Sequence, residues 1–278
     1  MFSRIYVEIT NICNMNCSFC HGHSRKLKQM TAEEFELILN KISGFTNYIY
    51  YHLMGEPLTH PKLPEFIKIA SDKGFKSMIT TNGTLLKQFG DKILESGIHK
   101  VNISVHSFED GTEEQFEDYM KNLADFAIKA NNKDVIVVFR LWNNGFDNGR
   151  NNKIIDYLKS NINNEWTENS KGYKILDKMF LEYGERFSWP DLNEEKQGND
   201  VFCYGLRDHI GILCDGTVVP CCLDSNGVIN LGNIFEDNLS DILNSQRAKS
   251  IKCGFDCRKA VEELCQKCGY AQRFSLKQ

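Results

Sequence analysis

The sequence predicts an α/β fold: an open, partial barrel of six β-α units, followed by a small domain built around metal. Three observations carry that expectation. Over residues 1–190, short β-rich runs alternate with helical patterns, the signature of βαβ units and a parallel sheet. In the fourth of these runs Val101, Ile103 and Val105 share one face while Asn102, Ser104 and His106 share the other, which suits a strand whose inner face lines a ligand site. Beyond Pro190 the alternation stops, and eight of the eleven cysteines follow.

The elements follow in order. "RIYVEIT" is the first strand. A helix starts at Thr31, where the hydroxyl caps the first turn and Glu34 closes a capping box; Phe35, Ile38, Leu39 and Ile42 then form one apolar stripe. "NYIYYHLM" is the second strand, and "LPEFIKIASDKG" a helix closed by Gly74. "FKSMITT", "LLKQFGDKILESG" and "HKVNISVHS" continue as strand, helix and strand. "EEQFEDYMKNLADFAIKAN" is a helix whose aromatic residues read as core, and "DVIVVFRLW" is the fifth strand. "NKIIDYLKSNI" is a helix, and "KMFLEYG" a weaker sixth strand. Past the polar stretch "DLNEEKQGND", short strands lie in "HIGILC" and "TVVPCC", and one helix in "NLSDILNSQRAK". The expected division is therefore 1–190 for the barrel and 191–278 for the metal domain.

Composition limits the function classes. A chain of 278 residues, 41% of them hydrophobic, supports a large core with an appendage. The net charge of −4 calls for neither nucleic acid nor an anionic membrane as partner. One local excess, eight Lys/Arg against three acids from Gln246 to Gln278, reads as a solvated face or as a contact for an anionic substrate or RNA. The opening "MFSRIYVEIT" reads as a strand rather than a leader, and no run approaches the roughly 20 apolar residues of a membrane span. The expected location is cytoplasmic, where thiols stay reduced and cysteines serve metal or catalysis before disulfides.

"CNMNCSFC" sets Cys13, Cys17 and Cys20 at C-x3-C-x2-C, directly behind the first strand. Three thiolates hold three irons of a [4Fe–4S] cube and leave the fourth open. A Cys3His zinc site completed by His21 or His23 is the alternative. The second strand runs into "MGEP", the third into "TTNG" and the fourth into "SVHS". Each places small or polar residues beside the cysteine loop, and a zinc knuckle needs none of them.

The cysteine motif, the GE motif and the serine of the fourth strand together resemble the radical S-adenosylmethionine (SAM) superfamily over about residues 1–190, although Met54 stands where the family often has a first glycine. The resemblance implies a partial (β/α)6 TIM-like barrel. It implies that SAM binds the open iron, that an electron from the cluster cleaves it, and that the resulting 5′-deoxyadenosyl radical takes hydrogen from substrate. By motif, Cys13, Cys17 and Cys20 ligate the cluster, while Gly55, Glu56, Pro57 and Ser104 meet SAM. Asn82 and Arg140 are further candidates; Arg140 either pairs a carboxylate of SAM or forms a salt bridge with a barrel acid such as Glu8. An external electron donor such as flavodoxin or ferredoxin is implied as partner.

The C-terminal part, with Cys203, "CDGTVVPCC" around Cys221, "LGN" and "CQKC", resembles the SPASM domain in its shortened, one-cluster twitch form. Cys203, Cys221, Cys265 and Cys268 are the implied ligands of an auxiliary [4Fe–4S] cluster. Cys253 and Cys257 are spare thiols or alternative ligands, and Cys214 is left over. Cys222 is a candidate hydrogen donor to a substrate radical, or a packing residue. Asp224 is a candidate general base, or the cap of a turn. His52, His60, His99 and His209 read as ordinary polar or core residues.

The resulting expectation is an enzyme that oxidises or epimerises a small polar molecule, as relatives acting on amino sugars and cyclitols do. A maturase of peptides or proteins is the alternative, and a zinc-stabilised binding protein is the rival from another class.

Overall fold

The computed structural model describes residues 1–147, 149–198 and 200–274, so Lys277 of the basic tail lies outside the described residues. In chain order the elements are β1 (Arg4–Val7), α1 (Ala32–Ile42), β2 (Tyr48–Tyr50), α2 (Leu63–Asp72), β3 (Lys76–Thr81), α3 (Leu86–Glu95), β4 (Lys100–Ser104), α4 (Glu113–Asn132), β5 (Ile136–Asn144), α5 (Arg150–Asn161), β6 (Thr167–Asn169), β7 (Gly172–Leu176) and β8 (Met179–Glu185). After these come β9 (His209–Ile212), β10 (Val218–Val219), α6 (Leu239–Asn244), α7 (Gln246–Asp256) and α8 (Glu263–Gln266). The order β1-α1 through β5-α5 and then β8 is that of a partial (β/α)6 TIM-like barrel. No helix among the described residues is long and apolar enough to cross a membrane.

The chain divides into two compact units. One comprises 1–12, 21–55 and 187–278. Its strands are β1, parallel to both β2 and β9, with β10 antiparallel to β9. The composition changes at Pro190, but the packing is cut elsewhere: the C-terminal segment lends β9 to β1, with Arg4 opposite His209 and Tyr6 opposite Gly211. Side chains alternate across these strands. Ile5, Val7, Ile49 and Ile210 are fully buried on one face, where Phe35 of α1 meets Tyr51. Arg4, Tyr6, Glu8, Tyr50 and His209 fall on the other.

The second unit comprises 13–20 and 56–186. Here β3, β4, β5 and β8 run parallel, and β7 and β6 extend β8 antiparallel. The weak sixth strand is β8. The β6–β7 hairpin was not expected, because its first strand, "TEN", is exposed along its whole length and has no apolar face to betray it.

Local signals were otherwise dependable. The Thr31–Glu34 capping box forms, and Phe35, Ile38, Leu39 and Ile42 are buried as the stripe requires. One expected helix, "NLSDILNSQRAK", is instead two: α6 stops and Ser245 caps α7 by accepting from Ala248 N. β4 ends at Ser104, so Val105–His106 belong to a 3-10 turn and not to the strand.

The first unit is organised around a buried acid. Glu8 has no solvent exposure. Its Oε2 accepts from Arg25 Nη2 at 2.7 Å and Met54 N at 3.2 Å, and its Oε1 accepts from Cys214 N at 3.4 Å. Burial pushes the Glu8 carboxyl above its ordinary range, and Arg25 opposes that shift. Arg25→Met leaves the charge uncompensated, with an expected loss of about 3–5 kcal/mol, far above the roughly 1 kcal/mol expected for the cap deletion Thr31→Ala. Urea midpoints of the apoproteins measure both, and restoration by Arg25→Met/Glu8→Gln would show that the buried charge is the cause.

Candidate active site

The first cysteine loop belongs to the second unit, where Cys13 and Cys20 are exposed and Cys17 is half-buried. Side chains from other elements hold it. Asn82, after β3, donates from Nδ2 to Asn14 Oδ1 at 2.9 Å, while its own Oδ1 accepts from Thr84. Glu109, after β4, accepts from both the amide and the hydroxyl of Ser18. Arg186 lies 3.5 Å from Glu109, and the Phe19 ring packs 4.7 Å from His106. Cys17 Sγ approaches Ser107 O at 3.8 Å. Asn82 thus acts as a splint between two loops. Glu109, Arg186 and Asn14 were missed because they belong to no motif.

Burial, Glu109 and the neighbouring thiols push Cys17 up to about 12. A thiol in such surroundings ionises only with a cation beside it, which suits a group that brings its own positive irons. Among the described residues no three His, Cys, Asp or Glu side chains converge on a single-ion site. His23 Nε2 lies 2.8 Å from Asn11 O, and His21 Nε2 3.5 Å from Asp191. The donor set fits an iron–sulfur cluster better than zinc.

Gly55 sits at φ +77°, and a Cβ there would lie 2.5 Å from Thr10 O, so only glycine fits this approach. The Glu56 carboxylate serves the protein: Oε1 accepts from Leu58 N at 3.0 Å and Oε2 from Asn82 N at 2.7 Å. Pro57 opens the 3-10 turn that this cap secures. Burial pushes Glu56 up to about 7.

Ser104 is in register with Arg140 on the neighbouring strand. Arg140 Nη1 donates to Thr80 Oγ1 at 3.3 Å and its guanidinium lies 4.7 Å from the Trp142 ring centroid. Its Nε is buried without a hydrogen-bond partner, as is Asn102 Oδ1. The salt-bridge alternative for Arg140 is excluded, since the partner of Glu8 is Arg25.

The structure sorts the C-terminal cysteines into distinct environments. Cys203, Cys221, Cys265 and Cys268 line one cavity with apolar neighbours such as Phe255 and Leu264. Burial first, and the other thiols after it, drive Cys203 up to about 11 and Cys221 and Cys265 well above the ordinary thiol range. Cys253 and Cys257 lie outside, exposed at the end of α7. Cys214 is buried against Arg25 Nη1 at 3.7 Å. Cys222 packs with Tyr6, Leu53, Leu213 and Val219. The glycine of G-x4-C has a reason: Gly216 is at φ +87° and a Cβ would meet Asn233 Oδ1 at 2.4 Å, so this turn and the "LGN" segment form one unit.

Asp224 lines the same cavity, but its oxygens accept from Val228 N and Ile229 N at 2.9 and 2.8 Å. It caps the turn, the alternative role that the sequence allows this residue. Replacing any one of Cys203, Cys221, Cys265 or Cys268 by Ser is expected to lower iron from about eight to about four per chain after anaerobic reconstitution. A Cys253→Ala/Cys257→Ala protein should keep about eight. Iron analysis decides, and a loss in the double variant would contradict this sorting.

Comparisons with known proteins agree with the geometry. The family model of the radical SAM superfamily matches residues 7–145, and that of the SPASM iron-sulfur cluster-binding domain matches 203–269. A probable GTP 3′,8-cyclase of Methanocaldococcus jannaschii is 26% identical, over 87% of this chain and 88% of that protein. The Fe-coproporphyrin III synthase of Methanosarcina barkeri is 27% identical over 44% of this chain and 31% of its own. The crystal structure of BtrN in complex with AdoMet and 2-DOIA is 20% identical, with a TM-score of 0.62 over 96% of this chain and 93% of that one. The chain belongs to the radical SAM superfamily, with SAM and [4Fe–4S] clusters as its cofactors and a SPASM-type iron–sulfur domain at its C-terminal end.

Proposed function

We propose that this radical SAM enzyme acts on a small polar molecule and that Cys222 returns a hydrogen atom to it, so that the net reaction is an epimerisation; dehydrogenation is the second reading. The observation that carries this is the contrast between two neighbouring residues. Cys222 lies beside Tyr6, whose hydroxyl hydrogen-bonds its sulfur, whereas Asp224 has both oxygens committed to backbone amides. A thiol is available for hydrogen transfer and a nearby base is not. The matched relatives are named for different substrates, GTP and an iron porphyrin, so they support the class of chemistry and leave the substrate to the site.

Cys13, Cys17 and Cys20 would hold the cluster that binds SAM, and together these supply a 5′-deoxyadenosyl radical able to remove hydrogen from substrate. The backbone of the Gly55–Glu56 turn would receive the ammonium of SAM, since the Glu56 carboxylate is held by Leu58 N and Asn82 N. Ser104 and Arg140 would orient its carboxylate and ribose. Asn82 and Glu109 hold the loop still. Cys203, Cys221, Cys265 and Cys268 would hold the auxiliary cluster for electron relay. Cys222 gives up the hydrogen on Sγ; an electron from an external donor such as flavodoxin or ferredoxin and a proton through Tyr6 restore the thiol. The setting is cytoplasmic, and the 191–278 segment acts as the auxiliary domain.

The reading is tested in D2O with SAM, dithionite and a panel of amino sugars, cyclitols and their carboxylic acids and phosphate esters. An inverted product carrying one solvent deuterium is expected. Cys222→Ala should still form 5′-deoxyadenosine but lose at least about 90% of that deuterium, since the hydrogen it carries comes from this thiol. A keto product without solvent deuterium would instead establish dehydrogenation.

A further inference from the structure

The face of β9, β1 and β2 turned away from α1 carries an arginine without a counter-charge. Among the described residues the Arg4 guanidinium forms no ion pair and donates no side-chain hydrogen bond, and its Nε is sealed from solvent. Of the other arginines with comparable surroundings, Arg25 is paired with Glu8 at 2.7 Å and Arg186 with Glu109 at 3.5 Å, while Arg140 meets the neutral Thr80 hydroxyl at 3.3 Å. Burial acts on Arg4 first; Tyr6, Tyr50, Cys222 and Asp208 lie around it, and of these only Asp208 carries a charge at neutral pH, without forming an ion pair with it. His209 stands opposite Arg4 across β1 and β9. Burial holds that imidazole down at about 4, so it is neutral at ordinary pH and supplies no anion.

The walls are ordered. The rings of Tyr6 and Tyr50 stack at 5.1 Å, and His52 and His209 stand edge-on to Tyr6 at 5.7 Å each. Rigid aromatic walls, hydroxyl donors and one unanswered guanidinium make a half-built binding site. Arg4 is half-buried, so its guanidinium keeps only part of its hydration and has no ion-pair partner, and a ligand oxyanion would supply one. The planar fork of arginine matches two oxygens of a carboxylate or phosphoryl group.

We infer that Arg4 anchors a subsite for an oxyanion of the substrate, carboxylate or phosphoryl, with Tyr6, Tyr50 and His209 as its walls and Cys222 beside it. The inference rests on the proposal that Cys222 serves the substrate, and it names a chemical class for that substrate: an acid or a phosphate ester, not a neutral sugar.

The test uses reconstituted holoprotein at constant ionic strength in chloride, titrated with inorganic phosphate and, separately, with acetate, while the thermal midpoint is followed. A ligand that binds the native state raises the midpoint saturably. Wild type should respond to at least one anion. Response to phosphate alone identifies a phosphoryl group, and response to acetate a carboxylate. Arg4→Gln should weaken the apparent affinity about tenfold or more, while the surface control Arg207→Gln keeps it. Should Arg4→Gln fail to fold, Arg4→Lys retains the charge without the fork and is expected to bind about tenfold more weakly. A wild type indifferent to both anions, or an Arg4 variant that responds as wild type does, overturns the inference. Formation of 5′-deoxyadenosine by wild type is measured in parallel. Its absence alongside an Arg4-dependent anion response would sink the functional reading and leave the subsite standing, and the converse result would do the opposite.

Discussion

A single carboxylate denied all contact with water sets the terms for half of this molecule. Glu8 is far too deep to be hydrated, so every lone pair must be met from within. The groups that meet it come from three places: Arg25, from the segment after the cysteine loop; the Met54 amide, immediately before the glycine turn; and the Cys214 amide, at the end of β9. Arg25 also donates from Nε to Ser225 O. Such a pair adds little net stability compared with apolar packing. Its effect is on register, because a shift in any of the three segments strands a charge.

The two sets of thiols are held by opposite means. Cys13, Cys17 and Cys20 lie on a loop whose own backbone is irregular, and polar side chains from the ends of β3 and β4 pin it in place. That leaves the thiol side accessible, as a site that exchanges ligands must be. The four cavity cysteines are enclosed by apolar residues, and their position is fixed by packing. A buried, fully ligated cluster is shielded from water and from competing ligands, which suits electron transfer and not substrate binding.

Much of this was legible beforehand, for a definite reason. Cysteine spacing, the glycine turns and the Thr31–Glu34 cap are local, and local geometry leaves its mark on neighbouring letters. The alternation in β4 identified a polar inner face because period-two patterning is local as well. What escaped was long-range. Ser18 meets Glu109 across 91 positions, and Glu8 meets Arg25 across 17 without any periodic trace. Glu56 carried the right motif but its carboxylate turned out to be structural, because a buried acid near free amides is captured by them. His209 read as an ordinary residue and Arg4 carried no signal; only the pairing of the first strand with one from the last third of the chain gives them a common face.

That same pairing governs when the protein can be made. β1 ends at Val7, yet its neighbour β9 begins only at His209, about two hundred residues further along the chain. Until some two hundred residues have been synthesised, β1 has an open edge on that side, with Ile5 and Val7 awaiting cover. Three of the four cavity cysteines, Cys221, Cys265 and Cys268, emerge later still. A chain cut before β9 would be left with an unpaired strand edge and a strong tendency to aggregate.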